Sequence, residues 1–438
     1  MFSIPDRSVA HGVTRTPAIA ARVADGAASR GFGAAPSSAP SVPLAPASPA
    51  ASDDAPAVRL LADTLREAAR RNASDLHVEP LEQGWRVRLR IDGVLHDIAR
   101  PPAHLRDAFV TRIKVLARMD IAERRIPQDG RMRLAPRGET QTHEDYRVNS
   151  LPTLHGEKLV LRRLEALPAD LSLTALGLDD TQRESLSAAI GAPHGLVLVT
   201  GPTGSGKTLS LYCFLQKLND ASRNLCSVED PAEIQLAGIN QVNVREKAGL
   251  TFALALRALL RQDPDVIMIG EIRDEETASV AVKAAQTGHL VLSTLHTNDA
   301  PAAIARLIDI GVEPYNLAAA LRLVTAQRLV RRLCPQCRQP SAESTATLRA
   351  AGLADAQPFI AKGCDACHGI GYRGRVGIHE VMPVSAAMRD MIVARRSAHD
   401  IARQARAEGV AALRDAALAR VRDGTTSLAE ALAATDAS

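Results

Sequence analysis

The sequence predicts an α/β protein in which a parallel β-sheet carries a phosphate-binding loop, with a smaller α+β domain ahead of it and a helical region at the C-terminus. Three observations support this prediction: a glycine-rich loop between an apolar segment and a helical one, several apolar strands that end in polar residues, and two pairs of closely spaced cysteines. Chains that alternate strands with helices usually form a parallel sheet covered by helices on both faces.

The glycine-rich loop is the strongest of these signals. It fits the pattern G-x-x-x-x-G-K-[ST], with an apolar strand at 195–199 before it and a helix from Leu209 after it. Glycines let backbone N–H groups turn toward phosphate oxygens, Lys207 places its charge on the β- and γ-phosphates, and Thr208 offers a hydroxyl to Mg²⁺. The alternative is an ordinary glycine-rich turn. We expect a nucleoside triphosphate, ATP, to bind Gly201, Pro202, Thr203, Gly204, Ser205, Gly206, Lys207, Thr208 and Leu209.

Composition narrows the class of protein. With 438 residues, 46% of them hydrophobic, the chain is long enough for two or three domains. The 53 Lys and Arg residues against 49 Asp and Glu residues leave a net charge of only +4, which argues against a nucleic-acid binder. No apolar run approaches the roughly 18 residues of a membrane span, and no secretory signal opens the chain. We expect a cytoplasmic protein that reaches a membrane only through partners.

The N-terminal part divides into a leader and a small domain. Residues 1–57 are rich in Ala, Pro and Ser, a composition typical of disordered segments, although the arginines among them leave a weak membrane-directed role open. Residues 58–167 combine helical spacing up to residue 72 with an alternation of apolar and polar residues at 85–96, in which Asp92 and Gly93 indicate a two-residue hairpin turn. Arg86, Arg88 and Arg90 lie on the polar face of that strand, either as a solvated face or as a phosphate contact.

Residues 168–438 contain the predicted parallel sheet. The segments 223–230, 265–271 and 289–296 are apolar strands that end in polar residues, and the carboxyl ends of parallel strands share one edge. Hydrolysis needs one carboxylate near Mg²⁺ and one that orients water. We assign Glu229 to the water and Glu271, with Thr208, to the magnesium, leaving their order open; a helix-capping acid is the alternative for each. His289 and His296 flank one strand. We expect one or both of them to contact the γ-phosphate; the alternative is that they are structural.

Two Cys-x-x-Cys pairs occupy the module at 331–380. They are separated by 26 residues, and in a cytoplasmic chain such pairs usually bind a structural Zn²⁺, with redox chemistry as the alternative. A helical insertion at 342–353 explains the long spacing. Residues 384–438 read as helices, with a capping box formed by Ser427 and Glu430. The predicted zinc ligands are Cys334, Cys337, Cys364 and Cys367.

Seven further segments have recognisable motifs: SDLHVEP at 74–80, RIDG at 90–93, IPQDGR at 126–131, VEDPAE at 228–233, LRQDPDVIMIGEIRD at 260–274, AQTGHLVLSTLHTND at 285–299 and GYRGRVGIHE at 371–380. Together with the loop and the cysteines, they resemble the secretion-superfamily ATPases that power type II secretion and type IV pilus assembly. The resemblance covers the chain from about residue 58 onward. It implies a RecA-like P-loop core, ATP hydrolysis converted into domain rotation, and a homohexamer at the cytoplasmic face of the inner membrane.

The resemblance also implies roles for particular residues. Arg131 and Arg147 match the arginines of the small domain that reach the γ-phosphate in the family. Retraction-type members generally lack the zinc module, so its presence favours assembly or export, and segment 238–249 is similar to the pilus-assembly branch. The chain departs from many relatives at residues 209–212, which read LSLY. It also has a leader in place of the folded domain that docks on an inner-membrane platform protein.

The sequence therefore predicts an ATPase motor for type IV pilus assembly, with no nucleic acid as partner. Two alternatives remain: a type II secretion ATPase that drives pseudopilus assembly and protein export, and a nucleotide-binding structural or regulatory component with negligible turnover. A nucleic-acid translocase is a further, separate alternative. Intact Lys207, Glu229 and Glu271 favour the motor over the structural component.

Overall fold

The computed structural model describes residues 55–134, 144–164, 170–343 and 345–435. All of them belong to one compact unit. Most of the predicted leader lies outside the described residues, and its last two residues already belong to the first helix. No helix in the described ranges is long and apolar enough to cross a membrane.

The small domain is built on an antiparallel sheet with two helices on one face. Within the described residues the strand order is β3-β2-β1-β6-β5-β4. Trp85, Val87 and Leu89 alternate inward from β2, as the sequence predicts, and pack with helix residues in one apolar core. The turn after β2 has positive φ at Asp92 and Gly93, which suits the predicted two-residue hairpin. The elements are α1 (Pro56–Arg70), β1 (Asp75–Pro80), β2 (Trp85–Ile91), β3 (Val94–Ala99), α2 (Arg106–Leu116), β4 (Gln128–Leu134), β5 (Glu144–Thr153) and β6 (Gly156–Leu164).

The other face of this sheet is an ion-pair network. Arg86 Nε and Arg88 Nη2 donate to the Glu79 carboxylate at 2.9 and 2.8 Å. Arg90 lies 3.7 Å from the carboxylate of Asp75. These arginines therefore pair with carboxylates of the same sheet, which supports the structural reading of the arginine stripe over a phosphate role.

The larger sheet lies at the centre of the predicted ATPase region, residues 168–438. In the part of the chain that the structure describes, its order is β15-β12-β7-β11-β10-β8-β9, where β15 spans Tyr372–Pro383. All neighbouring strands are parallel except β15, which runs antiparallel to β12. The predicted α/β class is confirmed. The strands and helices up to β12 are α3 (Asp180–Ile190), β7 (Gly195–Thr200), α4 (Lys207–Leu218), β8 (Leu225–Glu229), β9 (Asn240–Asn243), α5 (Phe252–Leu259), β10 (Val266–Ile269), α6 (Glu275–Gln286), β11 (Leu290–Leu295), α7 (Ala300–Ile310), α8 (Pro314–Ala320) and β12 (Leu321–Leu333).

Two apolar cores cover the larger sheet, one on each face. In one core, α3 and α4 pack on the sheet. In the other, the four helices from α5 through α8 and the C-terminal helices pack on the opposite face. Helices on both faces explain why the central strands read as continuous apolar runs rather than alternating ones. The carboxyl ends of β7, β8, β10 and β11 therefore meet at one edge.

The cysteine module and the C-terminal helices follow β12. Ser427 Oγ accepts from the N–H of Glu430 at 3.2 Å, as a cap should. The Glu430 carboxylate instead accepts from the backbone N–H of Arg331 at 3.1 Å and pairs with its guanidinium, because a cation is a stronger partner than a capping N–H. The predicted capping box is thus half formed. The elements are β13 (Gln339–Pro340), α9 (Thr345–Ala350), β14 (Phe359–Ile360), β15 (Tyr372–Pro383), α10 (Ala386–Val393), α11 (Ala398–Ala407), α12 (Leu413–Arg422) and α13 (Leu428–Thr435).

Candidate functional site

The glycine-rich loop connects the end of β7 to the start of α4, as predicted. Gly204 and Gly206 have φ of 80° and 87°, a region that disfavours other residues. A Cβ at Gly206 would lie 2.9 Å from the side-chain nitrogen of Gln327, and one at Gly201 would lie 2.5 Å from its backbone oxygen. The loop therefore needs glycine at both positions.

The lysine and serine of the loop fit a phosphate ligand. Lys207 Nζ donates to the carbonyl oxygens of Gly201 and Pro202 at 2.8 and 3.0 Å. Burial lowers the pKa of Lys207 to about 8, although the Glu271 carboxylate acts in the opposite direction. The Ser205 hydroxyl is buried and has no hydrogen-bond partner among the described residues. A phosphate would give the ammonium a charged partner and the hydroxyl an acceptor.

The two candidate carboxylates lie at the same sheet edge in different surroundings. Glu229, the last residue of β8, is 3% exposed. Its carboxylate accepts from Tyr212 Oη at 2.5 Å, from Ser227 Oγ at 2.6 Å and from Gln241 Nε2 at 3.0 Å. Burial among neutral donors leaves this carboxylate enclosed by protein.

Glu271 follows β10 and remains partly open to solvent. Its side chain is 21% exposed, pairs with the Arg273 guanidinium and lies 3.4 Å from His296 Nε2. It also lies close enough to Lys207 to influence the pKa of that ammonium. Glu271 is thus the acid of this edge that faces both the loop lysine and solvent.

The two histidines lie at opposite ends of β11. His296 follows the strand and contacts Glu271, whereas His289 precedes it. The His289 ring contacts the oxygen of Ala284 at 3.1 Å, and its carbonyl accepts from Gly195 N at the start of β7. Seven residue steps along a strand separate the two by about 20 Å. The prediction that His289 reaches the γ-phosphate therefore needs correction, because His289 lies at the far edge of the sheet.

Arg131 and Arg147 are cross-strand neighbours on β4 and β5. Both are exposed, and Arg147 lies 3.7 Å from the carboxylate of Asp129. Their inward neighbours Met132 and Tyr146 are buried, so the pleat directs the two arginines away from the core of the small domain. Two exposed guanidinium groups side by side are available for an anion, and their role at the nucleotide stays a prediction.

Sequence reasoning missed several polar residues around this edge. Tyr212 and Gln241 hold Glu229, as described above, and Gln327 and Arg328 of β12 are 3% and 8% exposed. Arg328 Nη2 donates to the carbonyl oxygen of Asn298, in the loop after His296, at 2.9 Å. The available signal was a group of polar residues, Thr325, Gln327 and Arg328, inside the otherwise apolar run at 323–330.

The four predicted zinc ligands come together in one cluster. Their sulfur atoms all lie within 4.8 Å of one another, and none is in a disulfide. Cys334 and Cys364 are 3.9 Å apart, while Cys367 lies 3.8 Å from both Cys337 and Cys364. A tetrahedron with Zn–S bonds of about 2.3 Å has sulfur–sulfur edges of about 3.8 Å. The four thiols therefore fit Zn²⁺, and among the described residues no other His, Cys, Asp and Glu cluster of this kind occurs.

Backbone groups help to prepare one of these thiols. The N–H groups of Cys364 and Gly371 donate to Cys367 Sγ at 3.2 and 3.1 Å. Burial acts to raise the pKa of the Cys367 thiol, but these N–H donors together with the neighbouring thiols of Cys364 and Cys337 lower it to about 7. The thiolate, which is the form that binds metal, is favoured at this position.

Comparison with known proteins identifies the family. Residues 50–433 match the family described as type II/IV secretion system protein. The chain belongs to this family. It is a secretion ATPase of the type II secretion and type IV pilus group, a class that implies ATP and Mg²⁺ at the loop described above.

Relatives of this secretion ATPase fall in both branches of the group. The type IV pilus assembly ATPase PilB of Myxococcus xanthus is 48% identical over 386 residues, 87% of this chain and 68% of that protein. Type II secretion system protein E of Pseudomonas aeruginosa is also 48% identical over 386 residues, 87% of this chain and 76% of that protein. A crystal structure of the pilus retraction motor PilT with bound ADP is similar at a TM-score of 0.58 and 26% identity, covering 85% of this chain and 96% of that one.

Zinc analysis of the natively purified ATPase should find one Zn²⁺ per chain. Cys334→Ser should lose this zinc and lower the melting temperature by about 5–10 °C, because a structural metal contributes folding free energy. Cys226→Ala, which alters a buried cysteine outside the cluster, should keep the zinc. Wild-type protein without zinc, measured by elemental analysis, would contradict the assignment.

Proposed function

We propose that this secretion ATPase drives type IV pilus assembly by polymerising pilin through an inner-membrane platform protein. The choice of the pilus rests on the resemblance of segment 238–249 to the pilus-assembly branch, and the 48% identity to a named pilus assembly ATPase agrees with it. The tetracysteine cluster supports assembly or export over retraction. The ATPase works as a homohexamer at the cytoplasmic face of the inner membrane and does not act on nucleic acid.

Type II secretion is the second candidate function. The equal identity to type II secretion system protein E favours it as much as the overall identity favours pilus assembly. In that case the motor would drive a pseudopilus and protein export. The chemistry at the sheet edge is the same for both candidates.

The residues at the sheet edge divide the work of hydrolysis. The loop N–H groups and the Lys207 ammonium hold the β- and γ-phosphates. Thr208 and Glu271 would hold Mg²⁺, which when bound neutralises charge on these phosphates. Glu271 and His296 face the γ-phosphate, because they are the partly open pair at this edge.

Glu229 orients the attacking water only if its present contacts are exchanged. Its carboxylate is enclosed by Tyr212, Ser227 and Gln241, and a carboxylate must have a free oxygen to bind water. The Glu271 carboxylate also has partners, the Arg273 guanidinium and His296, but it is partly open to solvent and is therefore easier for water to reach. The structure therefore favours Glu271 as the acid with the larger direct role, and Glu229 as a buried support of the edge.

Arg131 and Arg147 complete the site when the small domain closes. An arginine that reaches the γ-phosphate stabilises the charge of the transition state and accelerates hydrolysis by roughly 10³ to 10⁵. The two exposed arginines on β4 and β5 provide the guanidinium groups for this contact. Closure onto ATP and release after hydrolysis would convert the reaction into movement of one domain against the other.

Deletion of the gene in its host tests the choice between pilus assembly and secretion. We expect the deletion strain to lose surface pili, measured by shearing and immunoblotting, and to keep its secreted proteins. Complementation with the wild-type gene should restore pili, whereas complementation with Lys207→Ala should not. Loss of secreted proteins with pili intact would assign the protein to type II secretion.

A further inference from the structure

Gln327 approaches the phosphate-binding loop from the strand beside it. β12 runs parallel to β7, and Ala326 pairs with Thr200, the last residue of β7. Gln327 therefore follows at the level where β7 ends and the loop begins. Its side chain is only 3% exposed, so its amide must find its hydrogen bonds inside the protein.

The amide of Gln327 connects the loop to the helix that follows it. Gln327 Nε2 donates to the carbonyl oxygen of Ser205 at 2.8 Å. Ser210 Oγ, in the first turn of α4, donates to Gln327 Oε1 at 2.7 Å. A single buried side chain thus fixes both ends of the segment that contains Lys207.

The contact with Ser205 sets the direction of a peptide group. Because the peptide bond is planar and trans, a carbonyl that points one way places the N–H of the next residue on the opposite side. The Ser205 carbonyl points to Gln327, so the N–H of Gly206 points away from β12. Gly206 also lies too close to Gln327 Nε2 for a Cβ, which shows how tightly this peptide is packed.

Gln327 is itself held in place by its neighbour. Its carbonyl oxygen accepts from Arg328 Nη1 at 3.1 Å, and Arg328 Nη2 donates to the carbonyl oxygen of Asn298. Arg328 is 8% exposed, and burial lowers the pKa of its guanidinium while Asp299 and Glu380 act in the opposite direction. The backbone from which the Gln327 amide projects is therefore fixed on both sides.

We propose that Gln327 is a positioning residue for ATP: its amide holds the Ser205 carbonyl so that the loop N–H groups are already directed at the phosphates before ATP binds. The proposal rests on ATP hydrolysis at this loop, which the family implies, and not on the choice between pilus assembly and secretion. It predicts an effect on nucleotide binding rather than on folding, because a loop that is already ordered loses less conformational entropy when ATP binds.

Three variants of the full-length protein separate this role from ordinary core packing. Gln327→Met keeps the length and burial of the side chain but removes both hydrogen bonds. Ser210→Ala removes only the bond from α4. Thr325→Val is the matched control, because Thr325 is a 2% exposed polar residue of the same strand whose hydroxyl has no hydrogen-bond partner in the described chain.

We expect Gln327→Met to weaken binding of a fluorescent ATP analogue by about tenfold and to raise KM for ATP similarly, with kcat changed by less than about threefold. Ser210→Ala should lie between Gln327→Met and wild type, and Thr325→Val should match wild type. The melting temperature without nucleotide should be similar in Gln327→Met and Thr325→Val. The stabilisation by saturating nucleotide should shrink only in Gln327→Met and, to a smaller extent, in Ser210→Ala.

Wild-type affinity and KM in Gln327→Met would overturn the proposal. A lower melting temperature without nucleotide, together with unchanged affinity, would do so too, because it would mean that Gln327 only packs the core. If Gln327→Met fails to fold, wild-type affinity in Ser210→Ala would count against the proposal and weakened affinity would support it. These measurements on purified protein are independent of the pilus and secretion phenotypes in cells.

Discussion

Lys207→Ala should abolish steady-state ATP hydrolysis, with a loss of at least about a hundredfold. Lys207 Nζ is the buried cation of the loop, and the carbonyl oxygens of Gly201 and Pro202 already hold it at the mouth of the phosphate cradle. Its removal leaves the developing charge on the γ-phosphate without its nearest counter-charge. Phosphate release by the purified protein is the measurement.

Lys217→Ala is the matched control for this variant. Lys217 belongs to the same helix but is exposed near its C-terminal end, so we expect a wild-type rate. If Lys207→Ala and wild type hydrolyse ATP at the same low rate, turnover at this site is negligible and the protein is a nucleotide-binding component rather than a motor. An unchanged wild-type rate on addition of DNA is expected as well, and stimulation would reopen the nucleic-acid alternative.

Glu271→Gln should lower kcat by about a hundredfold while ATP binding is retained. Its carboxylate is partly exposed, contacts His296 and acts electrostatically on the loop lysine, so we expect it to lie near the γ-phosphate and the attacking water. Glu229→Gln should have a smaller effect on kcat, because the Glu229 carboxylate is enclosed by neutral donors. Single-turnover hydrolysis and nucleotide binding, measured side by side, distinguish the two.

Glu276→Gln serves as the control for these two variants, since it neutralises an exposed acid five residues beyond Glu271. A larger loss in Glu229→Gln than in Glu271→Gln would reverse the roles, and would mean that ATP binding opens the contacts of Glu229. Equal activity of Glu271→Gln and wild type would remove Glu271 from the chemistry altogether.

The predictions that held depend on local patterns. The loop at 201–208 combines glycines, a lysine and a threonine within eight residues, so the sequence alone predicts both the turn and a phosphate ligand. The alternation of Trp85, Val87 and Leu89 likewise depends only on the two-residue period of a strand. The fold class follows because strands and helices alternate along the chain.

The predictions that needed the structure depend on direction and on distant contacts. His289 and His296 look equivalent in sequence, yet a strand of six residues places them at opposite edges of the sheet. Applying the rise of a strand to residues 290–295 would have excluded His289 in advance. The enclosure of Glu229 could not be derived in this way, because the Tyr212 hydroxyl reaches it from α4 and the Gln241 amide from β9, and no local pattern shows that these side chains point toward it.

The sequence by itself determined that this protein has the pattern of a phosphate-binding strand–helix loop and four cysteines spaced for a metal, because adjacent residues carry both signals. The tertiary structure decided which acid is open, which histidine lies at the site, and that Gln327 reaches the loop from more than a hundred residues away. The physical reason is that a side chain's environment is set by the strands and helices packed around it, and parallel strands that neighbour each other in the sheet are distant in the chain.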